Sequence, residues 1–220
     1  MLIGLVGFIG SGKNTVGDVL ADKYSFKKFA FADILKDTVS VMFGWRRELL
    51  EGDTDESREF REKVDPFWSA RFDEDVTPRM ILQKMGTEAG RDVFHEDFWV
   101  HALEKRIQNE KNVVITDVRF PNEVKFIRDS GGFIVRVVRG PDPVWYQTAY
   151  DHNVNGKYNM YSNYPNVHVS EWAWIGTQFD YEINNDGSKV QLEAMAKHML
   201  DISVDLLICN FQHNLRKDSL

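Results

Sequence analysis

Leu2 to Thr15 reads LIGLVGFIGSGKNT, and this stretch decides the fold. Leu2 to Val6 is a short apolar run that ends in glycine, the pattern of a buried strand. Gly7 to Thr15 follows at once and fits G-x-x-x-x-G-K, with a helix opening behind it. Glycines let successive backbone N–H groups turn inward around phosphate oxygens. The helix amino terminus adds partial positive charge at the same point. The pattern therefore predicts that Gly7, Gly10, Ser11, Gly12, Lys13, Asn14 and Thr15 cradle nucleotide phosphates, with Lys13 reaching the β- and γ-phosphates. Asn14 stands where the general pattern has Ser or Thr, so the usual hydroxyl for Mg²⁺ is missing there. An Asn14 carbonyl, a bridging water or Thr15 are the alternatives.

Working outward, strands and helices alternate. A helix is expected from Gly12 to about Tyr24, with Val16, Val19, Leu20 and Tyr24 on one face. Phe26 to Phe31 reads as a second strand and Asp33 to Phe43 as a second helix. Residues 44–76 are highly charged and look like an inserted, mostly helical segment. Thr77 caps a helix that starts at Pro78 and runs to Arg91, and Phe98 to Ile107 is another. Val113 to Thr116, Phe133 to Val138 and Phe179 to Ile183 complete five strands. Asn122 to Asp129 is a short helix ended by Gly131-Gly132, and Ser188 to Leu200 is the last, with Leu192, Met195 and Met199 aligned. Such alternation implies a parallel sheet covered on both faces, a three-layer α/β architecture. Residues 140–178 show little periodicity but many aromatics, which favours a functional lid over disorder.

Composition narrows the function. At 220 residues the chain suits one domain, or one domain with an insertion. Hydrophobic residues at 43% exclude global disorder. Lys plus Arg total 27 against 34 Asp plus Glu, a net charge of −7, which lacks the broad basic surface a polynucleotide needs. The lone Cys209 excludes an intrachain disulfide and a Cys-rich zinc site; the apolar run Leu206-Leu207-Ile208 before it predicts a packed small hydrophobe. No run approaches the ~18 uncharged apolar residues of a membrane span, and the amino terminus lacks a basic signal region, so a soluble cytoplasmic protein is expected. The N-K-x-D motif of a GTPase is absent. A small-molecule kinase fits better than a GTPase or a motor.

Four further segments carry polar residues that packing does not require. They are Thr77 to Glu88 (TPRMILQKMGTE), in which Arg79 and Gln83 share a helix face; Phe98-Trp99; Asp117 to Glu123 (DVRFPNE), at the carboxyl end of the third strand, where ligands bind in open parallel sheets; and Asn184 to Gly187 (NNDG). With GSGKNT, the FADILKD segment at Phe31 to Asp37, the Arg139-Gly140 turn and HVSE at His168 to Glu171, their order and spacing resemble the bacteriophage-type deoxynucleoside monophosphate kinases, a branch of the P-loop nucleotide kinases. The resemblance spans nearly the whole chain. It implies a single P-loop kinase domain over residues 1–220, with a monophosphate-binding insertion at about 44–92 and a lid at about 140–178.

The implied reaction is transfer of the ATP γ-phosphoryl group to a dNMP, aided by Mg²⁺. The resemblance implies catalytic roles for Lys13, Arg79, Arg119 and Arg139. It implies substrate contacts from Asp33, Lys36, Arg79, Gln83, Trp99, Asp117 and Arg119. Metal contacts would come from Asn14, Thr15 and Asp117, and adenine contacts from Asn185 and Gly187. Arg139 is preferred over Arg136 as the lid arginine, because Arg136 shares a strand face with Ile134 and Val138. An ion pair of Asp117 or Arg119 with Glu123 is the rival structural reading, and His168 and Glu171 can be placed only in the lid. The runner-up functions are a kinase resembling dephospho-coenzyme A kinase and a regulatory ATP-binding protein. A homodimer is left open.

Overall fold

The structure is a computed structural model that describes the backbone of residues 1–217 and the side chains of 1–205. The expected packing of Cys209 lies outside the described side chains. In chain order the elements are β1 (Leu2–Val6), α1 (Lys13–Tyr24), β2 (Lys27–Phe29), α2 (Phe31–Phe43), α3 (Asp55–Glu62), α4 (Pro66–Phe72), α5 (Pro78–Lys84) and α6 (Phe98–Ile107). They continue as β3 (Val113–Ile115), α7 (Pro121–Asp129), β4 (Phe133–Val138), α8 (Tyr146–Tyr150), α9 (Met160–Asn163), α10 (Val169–Trp172), β5 (Tyr181–Asn184) and α11 (Lys189–Lys217). The chain divides into two compact units. One comprises Met1–Phe29 with Glu110–Leu220, the other Ala30–Asn109.

The first unit holds all five strands. They pair in the order β2-β3-β1-β4-β5, every pairing parallel. The sequence of β1 explains its central place. Ile3 and Leu5 alternate with Gly4 and Val6, and all four are buried. On one face Ile3, Leu5, Val114, Val135, Val137 and Ile183 pack with Val16, Val19 and Leu20 of α1 and Leu192, Ala196 and Met199 of α11. On the other face α7 lies close to the sheet. A Cβ on Gly4 would stand 2.4 Å from Ile127 Cδ1, so glycine admits that close approach. These are the three expected layers.

Several boundaries differ from expectation. β2 is only three residues long, since α2 begins at Phe31, earlier than the expected Asp33. There the Asp33 carboxylate accepts the Ala30 N–H at 2.9 Å and starts the helix. β5 starts at Tyr181, two residues late, because Asp180 uses its N–H on Ile134 O and its carboxylate on the Ile134 N–H. α11 runs on past Leu200 to Lys217. Residues 140–178 contain α8, α9 and α10 and bury Met160, Trp172, Trp174 and Ile175, so the segment is packed.

The second unit is helical, with its own core of Val39, Trp45, Leu50, Val76, Ile81 and Leu82. Thr77 caps α5 as expected, its hydroxyl accepting the Met80 N–H at 3.2 Å, and Pro78 occupies the first turn. The expected helix from Pro78 to Arg91 is not uniform. After Lys84 it widens into a π-helical stretch, Met85–Phe94. Trp99 explains the widening. Its indole N–H donates to Gly86 O at 2.8 Å, and a Cβ on Gly90 would fall 2.5 Å from the same nitrogen. The missing Cβ of Gly90 lets the indole close against the helix.

Candidate active site

In the first unit the phosphate loop leaves β1 at the centre of the sheet, where β1 has β3 on one side and β4 on the other. Three glycines in it have positive φ: Gly7 at 144°, Gly10 at 79° and Gly12 at 93°. A Cβ at Gly12 would stand 2.0 Å from Asn185 Nδ2. That amide donates to Ser11 O at 2.9 Å, while the Asn185 N–H donates to Val138 O at 2.7 Å. Asn185 thus ties the loop after β5 to the phosphate loop. Ser11 Oγ is buried with no partner, a polar atom aimed into a loop built for anions. Asn14 and Thr15 are exposed at the start of α1.

Lys13 Nζ donates to the carbonyls of Gly7 and Phe8, at 2.7 and 2.9 Å. Burial pushes its pKa down from 10.5 to about 8, and the nearby Arg119 cation pushes the same way. Glu171 and Asp117 act in the opposite sense. Lys13, Asp117 and Arg119 therefore lie within electrostatic reach of one another beyond the ends of β1 and β3. Glu171 joins them. Arg119 Nη1 donates to Glu171 Oε1 at 2.8 Å and to Ser170 Oγ at 3.3 Å.

The rival pairing with Glu123 takes another form. Glu123 is 2% exposed, and its carboxylate accepts the backbone N–H groups of Arg119 and Phe120, at 2.7 and 3.1 Å. It caps α7, while the Arg119 guanidinium bonds Ser170 and Glu171. The 140–178 segment also packs on the loop itself. The Phe8 ring meets Trp145, Tyr146 and Trp174 at centroid distances of 5.4, 6.1 and 5.1 Å.

Arg136 is buried and engaged by Asp142 at 2.5 Å and Glu182 at 3.2 Å, with the Tyr146 ring 5.2 Å away. Arg136 is therefore held in place by its two carboxylate partners. Arg139 is exposed and pairs with no carboxylate among the described residues. The next residue, Gly140, donates its N–H to Asp186 Oδ1 at 2.7 Å, so Arg139 stands beside the Asn184 to Gly187 loop. Gly187 is exposed there.

In the second unit Arg79 and Gln83 are both exposed on α5, and Arg79 Nε donates to Glu62. Trp99 is 6% exposed, a core side chain whose N–H is already used by Gly86. Lys36 Nζ bonds Glu51 at 2.6 Å with only 15% of its side chain exposed. Burial alone would raise the Glu51 pKa, but hydrogen bonds from Lys36 and Arg47 hold it below the usual carboxylate value. Asp33 serves as the α2 cap and meets Arg47 Nη2 at 3.2 Å. Asp33 and Lys36 therefore sit in an ion network of their own unit.

Comparison with known proteins separates one family from the other phosphate-loop enzymes. Residues 51–152 match the family model for deoxynucleotide monophosphate kinase. An Acanthamoeba polyphaga mimivirus protein named as a deoxynucleotide monophosphate kinase is 36% identical over 152 residues, covering 63% of this chain and 74% of that one. The chain belongs to the deoxynucleotide monophosphate kinase family. The deoxynucleoside-5'-monophosphate kinase of Escherichia phage T5 is 29% identical over 182 residues, covering 59% of this chain and 72% of that one. Among solved structures, shikimate kinase from Aquifex aeolicus is similar at a TM-score of 0.48 and 15% identity, covering 94% of this chain and 99% of that one.

Membership of the deoxynucleotide monophosphate kinase family makes the chain a phosphotransferase. No helix among the described residues is long and apolar enough to cross a membrane. Sequence reasoning placed Glu171 in the 140–178 segment and assigned it no role. Glu171 meets Arg119 across 52 positions, and nothing local in HVSE signals that pairing. His168 turns out to cap α10, its Nδ1 accepting the Ser170 N–H at 3.3 Å.

Proposed function

We propose that this protein transfers the γ-phosphoryl group of ATP to a deoxynucleoside monophosphate, giving ADP and the dNDP. The observation that carries this reading is the phosphate loop with Lys13, Arg119 and Asp117 gathered beyond β1 and β3, in a member of this family. An oxygen of the acceptor phosphate attacks the γ-phosphorus. The bond from that phosphorus to the β,γ-bridging oxygen breaks, and ADP leaves with the electron pair. The acceptor is already anionic, so no general base is required. Positioning and charge neutralisation do the chemistry.

Lys13, Gly7, Gly10, Ser11, Gly12, Asn14 and Thr15 hold the donor phosphates in this reading. Nζ of Lys13 exchanges its two carbonyl partners for phosphate oxygens, and Ser11 Oγ gains the partner it lacks. Arg119 and Arg139 supply further positive charge. Asn185 and Gly187 border the adenine. Asn14, Thr15 and Asp117 offer oxygen atoms suited to Mg²⁺. That ion, when bound, neutralises charge on the transferring phosphates.

Residues 44–92 receive the acceptor, with Arg79 on its phosphate and Gln83 on its base. Trp99 acts through the Gly86 to Gly90 stretch that it supports. Asp33 and Lys36 stiffen this segment. Residues 140–178 act as the lid that excludes water. γ-Labelled ATP incubated with a mixture of dNMPs tests the reading. Label in a dNDP supports it, and label released only as inorganic phosphate contradicts it.

A further inference from the structure

We infer that His95, Asp97 and His101 form a binding site for a divalent transition-metal ion, with Zn²⁺ the best fit. Among the described residues, one donor atom from each of the three lies within 4.8 Å of the others. The backbone holds them together. His95 follows the π-helical stretch and donates its N–H to Gly90 O at 3.3 Å, and its own carbonyl accepts the Phe98 N–H at 2.9 Å. Asp97 stands at the N-cap of α6, and the His101 N–H reaches its carbonyl at 2.9 Å. Asp97 and His101 therefore share one face of the first helical turn, and the turn folds His95 over them. The two imidazole rings lie 5.6 Å apart between centroids.

The donor set selects the ion. Two imidazole nitrogens and one carboxylate oxygen suit Zn²⁺, Co²⁺ or Ni²⁺, whereas Mg²⁺ and Ca²⁺ prefer all-oxygen sites. Donors about 2.1 Å from one tetrahedral ion stand about 3.4 Å apart, so rotation of the three side chains has up to about 1.4 Å to close. A second observation points the same way. His101 Nδ1 faces Glu104 Oε2 at 3.4 Å, and an outer carboxylate in that place orients a histidine that ligates through its other nitrogen. His95 Nδ1 accepts the Asp97 N–H at 3.0 Å, so ligation through Nδ1 requires that hydrogen bond to open. Three protein ligands leave further positions for water. An ion here fastens the end of the π-helical stretch to the start of α6, and so secures the Gly86 to Gly90 contact with Trp99.

Titration of the full-length protein with ZnCl₂, followed by calorimetry and by a thermal scan, tests the site. CoCl₂ supplies a visible absorption signature. We expect one saturable Zn²⁺ per chain and a raised thermal midpoint. Affinity should fall at least about tenfold in His95→Ala and in His101→Gln, and about tenfold in Glu104→Gln. His198→Ala, an exposed histidine on α11, should leave it unchanged. Asp97→Asn keeps the size of the side chain and gives a second route should a histidine variant fold poorly. No saturable Zn²⁺ binding, binding that survives these substitutions, or Mg²⁺ binding as tightly as Zn²⁺ would overturn the proposal.

Discussion

At the scale of the residue, burial and neighbouring charge act together on Lys13. Its pKa of about 8 lies below the 10.5 of the exposed side chain. Between those values the unfolded chain binds more proton than the folded one, so this group's contribution to stability rises with pH across that window. Polyphosphate near the ammonium favours its charged form. Nucleotide binding above about pH 8 should therefore take up a proton, and affinity should fall as pH rises further. Calorimetry in two buffers of different ionisation enthalpy measures the uptake, and its absence would contradict the placement of Lys13. Lys13→Ala should lower turnover by about a thousandfold or more while the fold survives. Glu171→Gln removes a charge that holds the Lys13 pKa up and turns the 2.8 Å partner of Arg119 from a carboxylate into a neutral amide. The onset of proton uptake should then move to lower pH, and an unchanged onset would mean that Glu171 does not act on Lys13.

At the scale of elements, the loop between β1 and α1 is constrained by its neighbour after β5. Gly12→Ala places a Cβ on Asn185 Nδ2 and strains a φ of 93°, so nucleotide affinity should fall at least about tenfold with α1 still formed. Equilibrium dialysis of ATP reads the loss, and far-ultraviolet circular dichroism checks the helix. β1, its loop and α1 were legible because each depends on adjacent residues: alternation in the strand, glycines in the turn, apolar spacing in the helix. The π-helical stretch was not. Its cause is Trp99, whose bond to Gly86 spans 13 positions. Trp99→Phe should cost about 1 kcal/mol in urea unfolding through that bond. A loss near zero would mean another contact fixes the stretch. Arg119 was legible from its place after β3, but its pairing with Glu171 was not, because it joins residues 52 positions apart.

At the scale of the whole molecule, two units with separate cores carry separate parts of the proposed reaction. Donor phosphates belong to the sheet unit and the acceptor to the helical one. Arg79→Ala tests that division. The exposed Arg79–Glu62 pair contributes at most about 1 kcal/mol, so the variant should fold normally. Its KM for the monophosphate should rise at least tenfold, roughly, with KM for ATP nearly unchanged. An equal rise in both would make Arg79 a structural residue. The most direct test of the central claim is a coupled ADP-release assay with ATP and Mg²⁺ against each dNMP, each rNMP and dephospho-coenzyme A. Turnover on one or more dNMPs, with none on dephospho-coenzyme A, is the predicted result. Silence on every dNMP while ATP still binds would contradict the account.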